Sequence, residues 1–490
     1  NEGAGGCPFI FRINKKVDKR CNTEGGKEHT NMIHKFYLNG FYIVLDVNSG
    51  AVHVVDQLSY ELLDGLEAPL DDQCPKEVAE HLRASYREAE IQEAYEELYE
   101  LYQNGFLFSA DDYAPFAAQM GPAPVKSMCL NIAHDCNLRC SYCFAAQGDF
   151  GHGRKLMPLE VGKAAIDFLI AHSANRHNLE LDFFGGEPLM NFEVVKQVVD
   201  YARSIEKEHN KNFRFTITTN GLLLTEDKID YINREMSNVV LSIDGRKAVN
   251  DSLRFRVDGS GSYDAIVPKY QRLVEKRRGG KFDQYYVRGT FTKQNLDFTK
   301  DVIHMRELGF DQISIEPVVA DPKLLPVALT EEDLPRICEE YETLAKEIIR
   351  RKRGGDSFNF FHFMLDLDQG PCAIKRLRGC SCGNEYIAVT PEGDIYPCHQ
   401  FVGMEEWRMG SVLDNSLDQS KKLMFSKTNV YEKPECRECW AKFYCSGGCN
   451  ANNLQYAGDV LKPHKLSCAL EKKRLECAIM IKAALVSDAE

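Results

Sequence analysis

The spacing of apolar residues changes character along the chain, and each change marks a change of architecture. From Phe36 the run FYLNGFYIVLDVNSGAVHVV is β-rich and broken at Asn39–Gly40 and Asn48–Ser49–Gly50, residue types that make tight hairpin turns. QLSYELLDGL then reads as a helix stopped by Gly65. The segment from Pro75 to about Asn104 is helical, with Pro75 near a helix start and Gly105 past its end. Three short strands and about three helices in this space predict a small winged-helix-like domain. From Lys126 strands and helices alternate. Apolar runs at MCLNIA, LELDFF, FRFTIT, VVLSID, YYVRGTFT and QISIEPV are β-like, and between the first two Val161, Ala164, Ala165, Phe168 and Leu169 mark one face of a helix. Six βα repeats in succession predict a parallel sheet curved into a full or partial barrel, with its chemistry at the C-terminal ends of the strands.

Other stretches set the boundaries. Residues 1–31 show no sustained periodicity and read as a flexible extension, with Met32 as an alternative start. SADDYAPFAAQMGPAPVK carries three prolines and reads as a linker. Leu334, Ile337, Tyr341, Leu344, Ile348 and Ile349 form a further amphipathic helix whose basic end, RRKRGG, is a solvated terminus. The expected divisions are 1–31, 32–112, 113–125, 126–330, 331–370 and 371–490.

Composition narrows the function. At 490 residues, 27% charged and 44% hydrophobic, the chain is an ordinary globular one. It shows neither a transmembrane run nor a signal-peptide layout, so a soluble, cytoplasmic protein with no membrane partner is expected. A net charge of −13 is the wrong sign for a general nucleic-acid binder. The N-terminal domain itself is acidic, especially AEIQEAYEELYEL, which favours an extended peptide added to a strand edge over DNA. Eighteen cysteines in such a chain point to metal sites rather than disulfides. Cys7 and Cys21 carry no assigned role, and Cys129, Cys338 and Cys477 read as core residues.

The chemistry concentrates in CNLRCSYC, directly after the first barrel strand. Cys136, Cys140 and Cys143 make a C-x3-C-x2-C pattern suited to a soft metal or an iron–sulfur cluster. Three ligands to a 4Fe–4S cubane leave one iron open. GGEP (Gly185–Pro188) follows the second strand, TTNG (Thr218–Gly221) the third and SIDG (Ser242–Gly245) the fourth. Each alone reads as a turn. Together they put small polar groups at successive strand ends beside a three-cysteine loop.

In this combination the sequence resembles the radical S-adenosylmethionine (SAM) enzymes. The resemblance implies that Cys136, Cys140 and Cys143 hold a 4Fe–4S cluster whose fourth iron is chelated by SAM. Gly185, Gly186, Glu187 and Pro188 would hold the methionyl amino group. Thr218, Asn220, Ser242 and Asp244 would lie near the ribose, Tyr142 near the adenine, and Arg254 and Arg288 near the carboxylate. Asp244 is also a candidate base. Further on, Cys380, the Gly393-x4-Cys398 spacing and CRECWAKFYCSGGC resemble the SPASM domain of peptide-modifying members. That implies auxiliary cluster I on Cys380, Cys398 and Cys449, with Cys372 as a possible fourth ligand and Cys382 competing with Cys380. Auxiliary cluster II would use Cys436, Cys439, Cys445 and Cys468. Structural zinc is the alternative for these cysteines.

LDVNSGAVHVVD, AHDCNLRCSYCFA, DFFGGEPLMNFEVV and EYIAVTPEGDIYPCHQFVG narrow the resemblance to maturases of six-cysteine (SCIFF-type) ranthipeptides. That implies an α/β partial (β/α)6 barrel between an N-terminal winged-helix (PqqD-like) RiPP recognition element and a C-terminal SPASM domain. The implied activity is thioether formation from precursor cysteines, with SAM and three 4Fe–4S clusters. A Cys-rich precursor bound by its leader and a reductant such as flavodoxin or ferredoxin would be the partners. Two other readings remain. One is a sulfatase-maturing formylglycine enzyme, in which an Asp follows the auxiliary-I cysteine where this chain has His399. The other is an iron–sulfur or zinc regulator with a DNA-binding winged helix.

Overall fold

The structure is a computed structural model describing residues 11–12, 32–367 and 373–486. Cys7, Cys21 and the predicted extension apart from residues 11–12 lie outside the described residues, as does Cys372.

The N-terminal unit is a small antiparallel sheet on three helices. β1 (Phe11–Arg12), β2 (Ile33–Leu38), β3 (Phe41–Asp46) and β4 (Val52–Val55) stand in the order β1-β4-β3-β2. The β2–β3 turn falls at Asn39–Gly40, both at positive φ (53° and 88°), as the sequence predicts. α1 (Gln57–Leu62) is capped by the Asp56 carboxylate, which accepts from the Ser59 N–H at 2.7 Å. The helical stretch after Pro75 is two helices, α2 (Lys76–Leu82) and α3 (Glu88–Gln103). The break lies at Arg87, whose backbone N–H donates to the Glu90 side chain at 2.9 Å and so starts a new helix. Ile91, Ala94, Tyr95 and Leu98 repeat at helical spacing on α3 and are buried beneath the sheet with Val44 and Val55.

Beside a two-residue parallel strand at its edge (Asn359–Phe360), the central unit contains, among the described residues, six longer parallel strands hydrogen-bonded in sequence order. They are β5 (Ser127–His134), β6 (Asn178–Gly185), β7 (Asn212–Thr219), β8 (Met236–Ser242), β9 (Tyr285–Phe291) and β10 (Gln312–Pro317). The helices between them are α4 (Leu159–His172), α5 (Phe192–Ile205), α6 (Glu226–Glu235), α7 (Tyr263–Arg277) and α8 (Thr299–Glu307). β5 is buried along its whole length, which explains why its apolar residues do not alternate with exposed ones. β6 and β7 alternate instead: Leu179, Leu181, Phe183, Phe213, Phe215 and Ile217 are buried in the common core.

The sheet does not stop at the predicted start of the cysteine-rich region. β11 (Tyr386–Val389) pairs parallel to β5 and continues into antiparallel β12 (Asp394–Tyr396), so the chain reaches Cys398 one strand removed from the strand that carries the CNLRCSYC loop. α9 (Leu334–Arg353) packs against the C-terminal α10 (Lys465–Val486), which also reaches β2 and β3. The basic end of α9 is paired as well as solvated: Arg350 and Arg351 meet Glu347. Cys129 and Cys477 are buried as predicted, whereas Cys338 is half-buried.

One buried ion pair fastens the predicted linker to the cysteine-rich region. The Lys442 ammonium, with 1% of its side chain exposed, sits 3.0 Å from Asp111. Lys442→Met strands that carboxylate, so the melting curve should show a loss of about 3–5 kcal/mol, the cost of breaking a buried pair. An unchanged melting temperature would contradict this role.

Candidate active site

The C-terminal ends of the six strands surround a cavity of about 330 Å³, and nearly all the residues singled out for the first cluster and for SAM meet there. Cys136, Cys140, Tyr142, Cys143, Gly185, Gly186, Glu187, Thr218, Asn220, Ser242, Arg254 and Arg288 line it. Pro188 and Asp244 stand behind the wall. Among the described residues, no group of three or more His, Cys, Asp or Glu side chains is placed to hold a single metal ion.

Strand pairing fixes the cysteine loop. Leu138–Cys140 pairs antiparallel with Arg254–Arg256, with Arg254 opposite Cys140. Arg139 turns back to donate to the carbonyls of Cys136 and Leu138, both at 2.7 Å. The Cys136 sulfur accepts from the Leu138 N–H at 3.4 Å and from the Asn220 amide at 3.6 Å. Burial, with the nearby Glu187 charge, pushes the Cys136 thiol up to about 12, and burial pushes Cys140 up to about 11 despite Arg254. Thiols held that high ionise when a cation sits on them, so an all-sulfur donor set with N–H donors aimed at sulfur fits an iron–sulfur cluster.

The glycines of GGEP serve the loop's own backbone. A Cβ on Gly186 would lie 2.1 Å from the Asp135 carbonyl, and one on Gly185, at φ +119°, 2.4 Å from that of Ala133. They let the end of β6 close onto the cysteine loop. Glu187 is buried, and three of its acceptor positions are filled: Thr219 Oγ1 and the Leu189 N–H donate to one oxygen at 2.7 and 3.0 Å, and the Asn220 N–H to the other at 2.7 Å. It ties GGEP to TTNG and keeps little free capacity for an amino group.

Asp244 is fully buried and accepts from the Tyr142 hydroxyl at 2.9 and 2.7 Å and from the Thr290 N–H at 3.0 Å. Arg254 in turn donates to the Tyr142 oxygen at 2.7 Å and stands 3.9 Å from Asp244. Burial raises the Asp244 carboxyl, partly offset by Arg254. Tyr142, Asp244 and Arg254 thus form one unit behind the cluster loop, in which Asp244 acts through Tyr142. The Arg254 Nε is buried and has no partner, an orphaned donor on the cavity wall that suits a carboxylate. Arg288 differs: it reaches Glu316 at 3.4 Å and keeps 52% of its side chain exposed.

Several lining residues carry no sequence motif. Glu316, at the end of β10, meets His362 at 3.1 Å; burial would raise its carboxyl, but His362, Arg288 and Arg474 together hold it well below the usual range. The strand-end rule points to such a residue, but nothing in EPV singles it out. From the cysteine-rich region His399, Gln400 and Asn452 close the cavity. The His399 ring lies between Phe144 (5.4 Å) and Phe184 (4.9 Å), and burial, then Arg288, pushes its pKa down to about 4.

The remaining cysteines gather in two groups. Cys380, Cys398 and Cys449 act electrostatically on Cys382, which is buried and accepts from the Asn450 amide at 3.5 Å. The Cys382 thiol is raised and Cys380 depressed by their mutual hydrogen bond. Cys436, Cys439, Cys445 and Cys468 likewise act on one another. Lys433, unforeseen from the sequence, is 1% exposed and donates to Gly447 O and Asn450 Oδ1, both at 2.7 Å. It feels thiols of both groups, placing a buried cation between them.

Comparison with known proteins agrees with this geometry. Residues 130–303 match the model of the radical SAM superfamily, and residues 380–440 that of SPASM, an iron–sulfur cluster-binding domain. An uncharacterized protein of Methanocaldococcus jannaschii, MJ0907, is 34% identical over 307 residues, covering 61% of this chain and 91% of that protein. A cysteine-type anaerobic sulfatase-maturating enzyme of Clostridium novyi is 22% identical over 344 residues, covering 67% of this chain and 89% of its own. The fold resembles that of anSMEcpe solved with AdoMet and a Cp18Cys peptide, with a TM-score of 0.61 at 19% identity over 75% of this chain and all of that one.

Proposed function

We propose that this chain, which belongs to the radical SAM superfamily and carries a SPASM domain, is a maturase that links cysteine sulfurs of a ribosomally made precursor to carbons of other residues. The observation that carries the reading is the shared cavity. The Cys136–Cys143 loop and the residues flanking Cys398 and Cys449 open into one space. A peptide entering there meets both cysteine regions at once.

Cys136, Cys140 and Cys143 would hold one 4Fe–4S cluster. Cys380, Cys398 and Cys449, with Cys382 or Cys372, would hold a second, and Cys436, Cys439, Cys445 and Cys468 a third. Bound on the first, SAM would supply a 5′-deoxyadenosyl radical. Arg254 orients the SAM carboxylate, and Tyr142 and Asp244 fix Arg254. Phe144 and Phe184 shield the cavity from water. Each crosslink forms one C–S bond and removes two hydrogens. One would leave carbon as an atom, taken up by the deoxyadenosyl radical to give 5′-deoxyadenosine, the other would leave the thiol as a proton, and an iron–sulfur centre would supply the acceptor for the remaining electron. The N-terminal domain, read as a winged helix, takes the precursor's leader as an added strand. A flavodoxin or ferredoxin supplies the starting electron.

The test is anaerobic incubation of reconstituted protein with SAM, reductant and the small Cys-rich peptide encoded beside it. Release of 5′-deoxyadenosine with loss of two hydrogens per crosslink is expected, with iron near about twelve per chain. Conversion of a cysteine to an aldehyde without a crosslink would support sulfatase-type maturation instead. His399, rather than an aspartate, after Cys398 weighs against that outcome.

A further inference from the structure

The two edges of the N-terminal sheet are not equivalent. β2 is turned toward the C-terminal region. His34 stacks on Trp440 with centroids 3.7 Å apart and 2° between planes, meets Glu476 at 3.1 Å, and α10 packs along β2. Asn39, in the β2–β3 turn, donates to the Met480 sulfur at 3.7 Å. This edge is covered.

β4 carries the other edge, and the chain's own β1 pairs with it antiparallel. Phe11 stands opposite Val54 and Arg12 opposite His53. β1 has no other strand partner among the described residues. It comes from the stretch before Met32, beyond the helices and hairpins that build the domain's core. A strand edge that accepts such a segment offers main-chain N–H and C=O groups to an extended peptide.

We infer that the protein's own Phe11–Arg12 segment occupies the β4 edge in cis, as a pseudo-leader that an extended precursor segment must displace. The inference rests on reading the N-terminal domain as leader-binding. Tethering makes self-docking intramolecular, so the apparent affinity for any incoming strand falls by the fraction of edge left open.

The test compares the full chain with a chain beginning at Met32, using as probe a fluorescein-labelled peptide of residues 8–20 (PFIFRINKKVDKR). Circular dichroism and thermal melting establish that the shortened chain is folded. The probe is expected to bind the shortened chain, and the full chain at least about fivefold more weakly. In hydrogen exchange, the β4 amides should be less protected in the shortened chain and regain protection with the probe. No binding to the shortened chain, equal binding to both, or unchanged β4 exchange would overturn the inference. Modification of the Cys-rich precursor is scored separately. A probe that binds while the precursor stays unmodified leaves this inference standing and removes the thioether reading, and the converse removes this inference alone.

Discussion

Joint replacement of Cys136, Cys140 and Cys143 by alanine is expected to abolish SAM cleavage and to remove about four of about twelve iron atoms per chain. The fold should survive. The loop is held by its pairing with Arg254–Arg256 and by Arg139 on the carbonyls of Cys136 and Leu138, contacts that do not use sulfur. Of the three cysteines only Cys143 borders the core that holds Cys382 and Cys398, and Cys436 lies in another, so the two other groups keep most of their packing. Product analysis for 5′-deoxyadenosine and iron content, with electron paramagnetic resonance of the remaining clusters, read the two effects separately. Persistent deoxyadenosine formation would show that the radical arises elsewhere. Loss of all iron would show that the three groups do not load independently.

Arg254→Gln is expected to weaken SAM binding by about a hundredfold, the scale of losing charge-assisted hydrogen bonds of about 1.5–3 kcal/mol. It also leaves Asp244 buried without its counter-charge, so stability should fall by about 3–5 kcal/mol. Arg288→Gln provides the contrast. Its guanidinium is half exposed, with a longer contact to Glu316, so the melting temperature should stay within a degree or two and SAM affinity should change far less. Equilibrium binding of SAM to each variant, together with melting curves, decides the matter. Equal losses of SAM affinity in the two variants would mean that both arginines hold the carboxylate.

Local patterning was the legible part of the fold. Asn39–Gly40 forecast the first hairpin, MCLNIA a strand, and repeated βα spacing a parallel sheet. The cavity-lining role of GGEP, TTNG and SIDG followed from the rule that parallel-sheet sites collect at strand ends. Individual roles were less legible. Glu187 reads in sequence as a ligand acceptor, yet Thr219, Asn220 and Leu189 fill most of its capacity. Asp244 reads as a ribose contact or base, yet it lies behind Tyr142. Glu316, His399 and Lys433 had no motif, because their importance comes from neighbours distant in the chain.

The sequence by itself determined the cysteine spacings that suit a sulfur-loving metal, where most of the longer strands lie, and that the strand-end motifs share one face. These depend on spacing of a few residues, which the chain carries locally. Only the tertiary structure decided that Arg254 stands opposite Cys140, that His399 of the cysteine-rich region closes the cavity at the strand ends, and that Phe11–Arg12 lies on β4. The reason is physical: strand edges and buried charges are satisfied by whichever partners folding brings within about 3 Å, whatever their separation in sequence.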